Sequence, residues 1–176
     1  MSLVYAIDPG LQQSALIVLE ASDGDVSVRE GCTVLNAALL PRLEMAPAGA
    51  VLVCEQISAM GLPVGNETML TCWWSGRFYE AWPNPDRHML TRQAIKLHLT
   101  GVSRSTDANV RMALLDRFGP GRELAIGTVK AKGPLYGLKG HEFSALAVGV
   151  TWVEQNGHGA IQSAPRVAEW PQSLLR

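Results

Sequence analysis

The hydrophobic positions of this chain fall into short dense runs near its start and longer, more widely spaced stretches further on. Residues 3–9, 14–20 and 25–34 are rich in aliphatic and β-branched side chains and read as three strands. Ser22-Asp23-Gly24-Asp25 is a hairpin turn between the second and third. Asn36 is placed as the N-cap of a helix over 37–46, which Pro47 and Gly49 stop. A fourth strand covers 50–56. Ser58 to Gly65 is a loop containing glycine and proline. Glu67 to Trp82 then has helical spacing and ends at Pro83-Asn84-Pro85. A short fifth strand near 87–90 leads into helices over 91–100 and 107–118. Gly119-Pro120-Gly121 breaks the second of these, and 121–140 reads as glycine-rich, basic and irregular. A mostly apolar helix over 141–155 follows, and residues 156–176 read as a tail to a single domain covering 1–155.

Two of these strands end in the same way. Leu3-Val4-Tyr5-Ala6-Ile7 runs into Asp8 and then Pro9-Gly10, and Val51-Leu52-Val53-Cys54 runs into Glu55. An unpaired charge at the end of a buried strand costs several kcal/mol, so each carboxylate needs a donor, a cation or a metal. Two strands each delivering one acid suggest a shared cation.

Composition narrows the class. At 176 residues, 47% hydrophobic and 18% charged, the chain suits one soluble globular domain with a sizeable core rather than a disordered segment. No apolar stretch is long enough to span a bilayer, and Asp8 interrupts the first apolar run where a signal peptide would continue. The expectation is a cytoplasmic protein without a membrane partner. Cys32, Cys54 and Cys72 form no close pair, which argues against zinc and against a disulfide framework.

The formal net charge of −1 hides an uneven distribution. Ten Lys or Arg residues lie between Arg87 and Lys139, against three acids, Asp107, Asp116 and Glu123, and all four lysines of the protein fall there. That local excess is either a solvated basic face or a seat for a phosphate backbone. The last helix opens Gly140-His141-Glu142-Phe143-Ser144, polar in its first turn and core-like beyond it. Aimed at the strand ends, that start brings His141 to Asp8 and Glu55. Carboxylates with an imidazole suit a hard divalent cation, Mg²⁺ or Mn²⁺, of the kind that clamps the oxygens of a phosphodiester during cleavage.

Four segments in this order resemble the RuvC-type Holliday junction resolvases, in particular their phage-type members. They are Ala6-Ile7-Asp8-Pro9-Gly10, Cys54-Glu55-Gln56, Thr91-Arg92-Gln93-Ala94-Ile95-Lys96, and His141-Glu142-Phe143-Ser144-Ala145-Leu146-Ala147-Val148. The resemblance covers residues 3–153. It implies a ribonuclease H-like α/β fold, a mixed five-stranded sheet flanked by helices. It also implies a metal-dependent endonuclease cutting four-way junctions or other branched DNA, working as a homodimer. Asp8 and Glu55 match the family's first two acids and His141 its third metal position. Ser144 stands where the family has an acid, and Glu142, about 100° around the helix from His141, is a candidate replacement ligand. Asp107 either supplies further charge to the site or marks the start of its helix. Lys96 lies where the family contacts DNA, and Arg92, Arg104, Lys130, Lys132 and Lys139 join it as candidate phosphate contacts. The family's aromatic wedge after the fourth strand is missing; Met60 is the apolar residue nearest that place. Trp73 and Trp74 divide between core and dimer interface.

Two other readings stay open. One is a junction-binding protein on the same fold with weak or no cleavage, and the other is a related nuclease acting on RNA or forks. An actin-like phosphotransferase would need a second domain for which the chain is too short.

Overall fold

The computed structural model describes residues 2–22, 25–58, 63–119 and 121–156. Its order is β1 (Ser2–Asp8), β2 (Gln13–Ser22), β3 (Asp25–Leu35), α1 (Asn36–Glu44), β4 (Val51–Gln56), α2 (Asn66–Ala81), β5 (Arg87–Thr91), α3 (Arg92–Thr100), α4 (Asp107–Phe118), α5 (Arg122–Ala125) and α6 (His141–Asn156). The five strands form one mixed sheet in the order β3-β2-β1-β4-β5. β1, β2 and β3 are antiparallel neighbours, while β1, β4 and β5 run parallel. The hairpin turn at Asp23-Gly24, the Met60 position and the tail beyond Asn156 lie outside the described residues.

Strand alternation sorts the core into two layers. Ile7, Leu16, Leu52 and Cys54 face α1 and α2, where they pack on Leu39, Leu43, Phe78 and Trp82. Val4, Ala6, Ile17, Leu19, Val51 and Val53 face the other way, onto α3, α4 and α6. Helix α6 lies very close to that face. A Cβ on Gly149 would come within 2.9 Å of Ala6 Cβ and 2.7 Å of Leu19 Cδ1, so glycine is what lets this helix settle on β1 and β2. Among the described residues no helix is long and apolar enough to cross a membrane.

The same alternation decides where the two acids go. Asp8 shares the parity of Val4 and Ala6, and Glu55 that of Val51 and Val53. Both therefore emerge on the α6 side. The parallel register, Ile7 opposite Cys54, carries the next residues of the two strands side by side. A one-residue slip in either strand would turn its acid to the opposite face.

Two sequence expectations change. Asn36 does not cap α1: that helix has no side-chain cap, and Leu35 holds the cap position. Asn36 is instead buried, donating to Gly10 O at 2.9 Å and accepting from Ser14 Oγ at 2.7 Å. Those bonds satisfy the turn that follows Asp8, and burial outweighed the ordinary preference of Asn for a helix start. The stretch 121–140 is also more ordered than its composition suggests. It holds the short α5 and a bridge between Gly127 and Lys132, closed by Thr128 N–H to Ala131 O at 2.8 Å. Gly127 sits at φ 74° with Ala131 O only 2.2 Å from where a Cβ would be, so no other residue fits this turn.

Candidate active site

Asp8 is 9% and Glu55 4% exposed, and both open into one cleft of about 670 Å³ that is also lined by Arg92, Asp107, His141 and Ser144. His141 Nδ1 lies 3.1 Å from Asp8 Oδ2, and the rest of its ring is largely exposed. Ser144 comes one turn later on the same face of α6 and lines the same cleft. Glu55 Oε1 accepts from Arg92 Nη1 at 3.1 Å. Arg92 is the first residue of α3, just past the end of β5. Because Leu90 pairs with Glu55 across the sheet, the chain leaves β5 at the same end as that acid. Thr91 caps α3 through Ala94 N–H and fixes the exit.

Burial pushes the Asp8 carboxyl up, against the opposing pull of His141, Arg92 and Ser144. Burial also pushes Glu55 up, the neighbouring Asp8 charge adds to this, and Arg92 works against it. The Cys54 thiol, on the opposite face of the sheet, is fully buried and pushed up to about 12, so it stays protonated and offers no thiolate. Two buried anions side by side with incomplete neutralisation form a site that favours an added cation.

Carboxyls titrating above their ordinary range hold their protons more tightly in the folded than in the unfolded chain. Their ionisation then costs stability as pH rises from the ordinary carboxylate range through the raised values, and costs nothing below it. Asp8→Asn is accordingly expected to raise the melting temperature of the metal-free protein at pH 7. The gain should fade as pH falls toward about 4, where the native carboxyl is neutral too. Thermal unfolding of both proteins across that range checks this, and a variant that is less stable at pH 7 contradicts it.

The structure brings Asp8, Glu55, His141 and Ser144 together, but not Glu142. Its carboxylate accepts from Lys139 N–H at 2.8 Å and Thr33 Oγ1 at 3.2 Å, tying the start of α6 to β3. The rotation between neighbouring helix positions, together with a free amide to satisfy, turns it away. Asp107 does not bind the acid pair directly. Thr106 provides the cap of α4, and Asp107 in the first turn contacts Arg92 Nη2 at 2.8 Å and Lys96 Nζ at 3.1 Å. Burial pushes its carboxyl up, but Lys96 and Arg92 outweigh that and hold it below the ordinary range.

Among the described residues no three His, Cys, Asp or Glu side chains gather into a cage. The donors present nonetheless fit one class of ion. Two adjacent carboxylates and a hydroxyl beside an open cleft suit a hard cation that keeps several waters, as Mg²⁺ does, and do not suit a thiolate-seeking metal. The basic candidates divide. Arg92 and Lys96 are committed to acids at the rim, whereas Arg104, Lys130, Lys132 and Lys139 are exposed.

No family model matches the sequence, and neither does any curated protein. Solved structures do match. Thermus thermophilus RuvC in complex with a Holliday junction substrate aligns over 85% of this chain and 91% of that chain, with a TM-score of 0.56 and 18% identity. The Thermus thermophilus RuvC structure aligns over 85% and 92%, at 0.53 and 18%. The chain has the ribonuclease H-like fold of RuvC. A Fowlpox virus resolvase bound to junction DNA is more distant, at 10% identity and 0.42 over 87% of this chain and 97% of that chain, and adds nothing to the fold assignment.

Within this RuvC-like frame, Ser14 and Asn36, which brace the turn behind Asp8, were not legible as such in the sequence, whereas Asp107, a candidate charge there, anchors Arg92 at the cleft. The buried Ser-Asn pair left no local signal, since its members are 22 residues apart and meet only through the β2–β3 pairing. Arg92 did carry one: it begins a helix directly after a strand that pairs with the Glu55 strand.

Proposed function

We propose that this chain is a divalent-metal-dependent endonuclease that cleaves branched DNA, four-way junctions first among them. The observation that carries the reading is the pair of buried carboxylates, Asp8 and Glu55. They stand side by side at the ends of parallel strands, open to a cleft that Arg92 also lines and that Gly140, next to the exposed Lys139, borders. Asp8 and Glu55 would hold the metal through hard oxygens. A divalent cation held there would supply Lewis-acid charge at the phosphate. The Ser144 hydroxyl orients the Asp8 carboxylate. His141 keeps one ring nitrogen on Asp8 and the other edge in solvent, where it can pass a proton between the cleft and bulk water. Arg104, Lys130, Lys132 and Lys139 bind phosphates and position the DNA without reading its sequence. The products are 5′-phosphate and 3′-hydroxyl ends.

Opposed cuts across a junction call for two sites, and α2 offers a surface for a homodimer. Met69, Leu70 and Trp73 lie on its outer side, with Trp73 54% exposed, while Trp74 stacks on the buried Phe78. Trp73→Asp is expected to convert dimer to monomer in sedimentation velocity with little change in melting temperature, since the side chain is not part of the core. A Trp73→Asp dimer would place the interface elsewhere.

The test of function is Mn²⁺-supported nicking of a labelled four-way junction, with fork, RNA–DNA hybrid and linear duplex as competitors. Junction cleavage resisted only by unlabelled junction supports the proposal. Tight junction binding without a cut supports the second reading, a binding protein, which Ser144 favours by leaving the acid pair without a third carboxylate. Preference for hybrid or fork redirects the substrate.

A further inference from the structure

Arg92 spans two acids that belong to different elements. One guanidinium nitrogen is 3.1 Å from Glu55 on β4, and the other is 2.8 Å from Asp107 on α4. The second oxygen of Asp107 is held by Lys96 Nζ at 3.1 Å. Glu55 is 4% exposed, so the guanidinium occupies much of the little access its carboxylate has. Asp107 by contrast has a side chain 67% exposed and can keep a cation without help from the interior. We propose that Arg92 is a latch on the metal site: it neutralises Glu55 in the metal-free protein and must release that carboxylate before a divalent cation takes it, with Asp107 as its second seat. This rests on Asp8 and Glu55 being the metal site proposed above.

The physical reason lies in the guanidinium. It keeps its proton at every working pH, so Glu55 is freed only by movement and never by deprotonation of its partner. Its planar fork can hold one acid with each nitrogen, and letting go of Glu55 leaves it still paired with Asp107. The latch also explains how two adjacent buried acids are tolerated before metal arrives: Glu55 has a built-in cation and Asp8 a hydrogen-bond partner in His141.

Calorimetric titration of Mn²⁺ into metal-stripped full-length protein tests this without reference to cleavage. Arg92→Ala should bind Mn²⁺ about tenfold more tightly than the native chain, the factor that one charge-assisted hydrogen bond carries. Lys96→Ala removes the same charge nearby without touching Glu55, and should change affinity by less than about twofold. Equal tightening by the two variants would mean long-range charge alone and overturns the latch. So does native binding that Asp8→Asn abolishes and Arg92→Ala leaves unchanged. Absence of Mn²⁺ binding in both the native and Arg92→Ala proteins overturns the metal site and the latch together. A Mg²⁺ titration of the native protein, followed by the Arg92 side-chain N–H resonance, needs no variant. The signal should move as metal fills the site, and a signal unmoved at saturating metal overturns the latch.

Discussion

Asp8→Asn is expected to reduce junction cleavage by roughly a thousandfold or more while leaving junction affinity within about twofold, because it removes transition-state charge stabilisation and no phosphate contact. The amide keeps the size of the native side chain and can still hydrogen-bond His141. What it lacks is the charge that, beside Glu55, would hold a cation in the proposed site. In the proposed function junction binding would draw instead on Arg104 and the lysines of 130–139, which are separate from the Asp8 contacts. Parallel binding and nicking measurements on one labelled junction separate the two effects. Undiminished cleavage would remove Asp8 from the site, and a matching fall in binding would make it a contact residue. The same variant is expected to be the more stable protein at pH 7, so lost cleavage cannot be laid to unfolding. That opposition is typical of a site whose charges are kept for chemistry at a cost to the fold.

The second large effect is on stability. Leu146→Ala should cost about 3 kcal/mol, within the range found for emptying a fully buried leucine site. Leu146 is 0% exposed in the middle of α6, where the helix is pressed on β1 and β2, and the close approach at Gly149 leaves little room for the layers to collapse into the gap. For a domain of this size that corresponds to a fall in melting temperature of about 6–12 °C. Chemical denaturation gives the number directly. A loss below about 1 kcal/mol would mean that α6 does not seat on the sheet as described. Since His141 and Ser144 reach Asp8 only because α6 is held at that height, the same packing that stabilises the domain also sets the site.

Much of the frame is legible in local sequence. The short apolar runs gave the strands because a buried strand of a mixed sheet needs few residues and tolerates no interior charge, so Asp8 and Glu55 stood out as strand ends. The polar first turn and apolar body of α6 marked a helix buried along its length with its start at a cleft. Ser144 was equally plain as a departure from the family pattern. Residues 121–140 read as irregular because glycine, lysine and proline suggest a loop, whereas the Gly127–Lys132 bridge depends on backbone conformations that composition does not report.

What the sequence determined by itself is therefore the order of elements, the two acids at strand ends and the basic excess that follows them, since each is written in local periodicity or charge. The tertiary structure alone decided three things. Strand parity and parallel register set Asp8 beside Glu55 on the α6 side. The rotation of α6 brought His141 and Ser144 to Asp8 and sent Glu142 to Lys139 and Thr33. The exit of β5 next to β4 put Arg92 between Glu55 and Asp107. All three are contacts between residues far apart in the chain, and only folding fixes the distances on which their electrostatics depend.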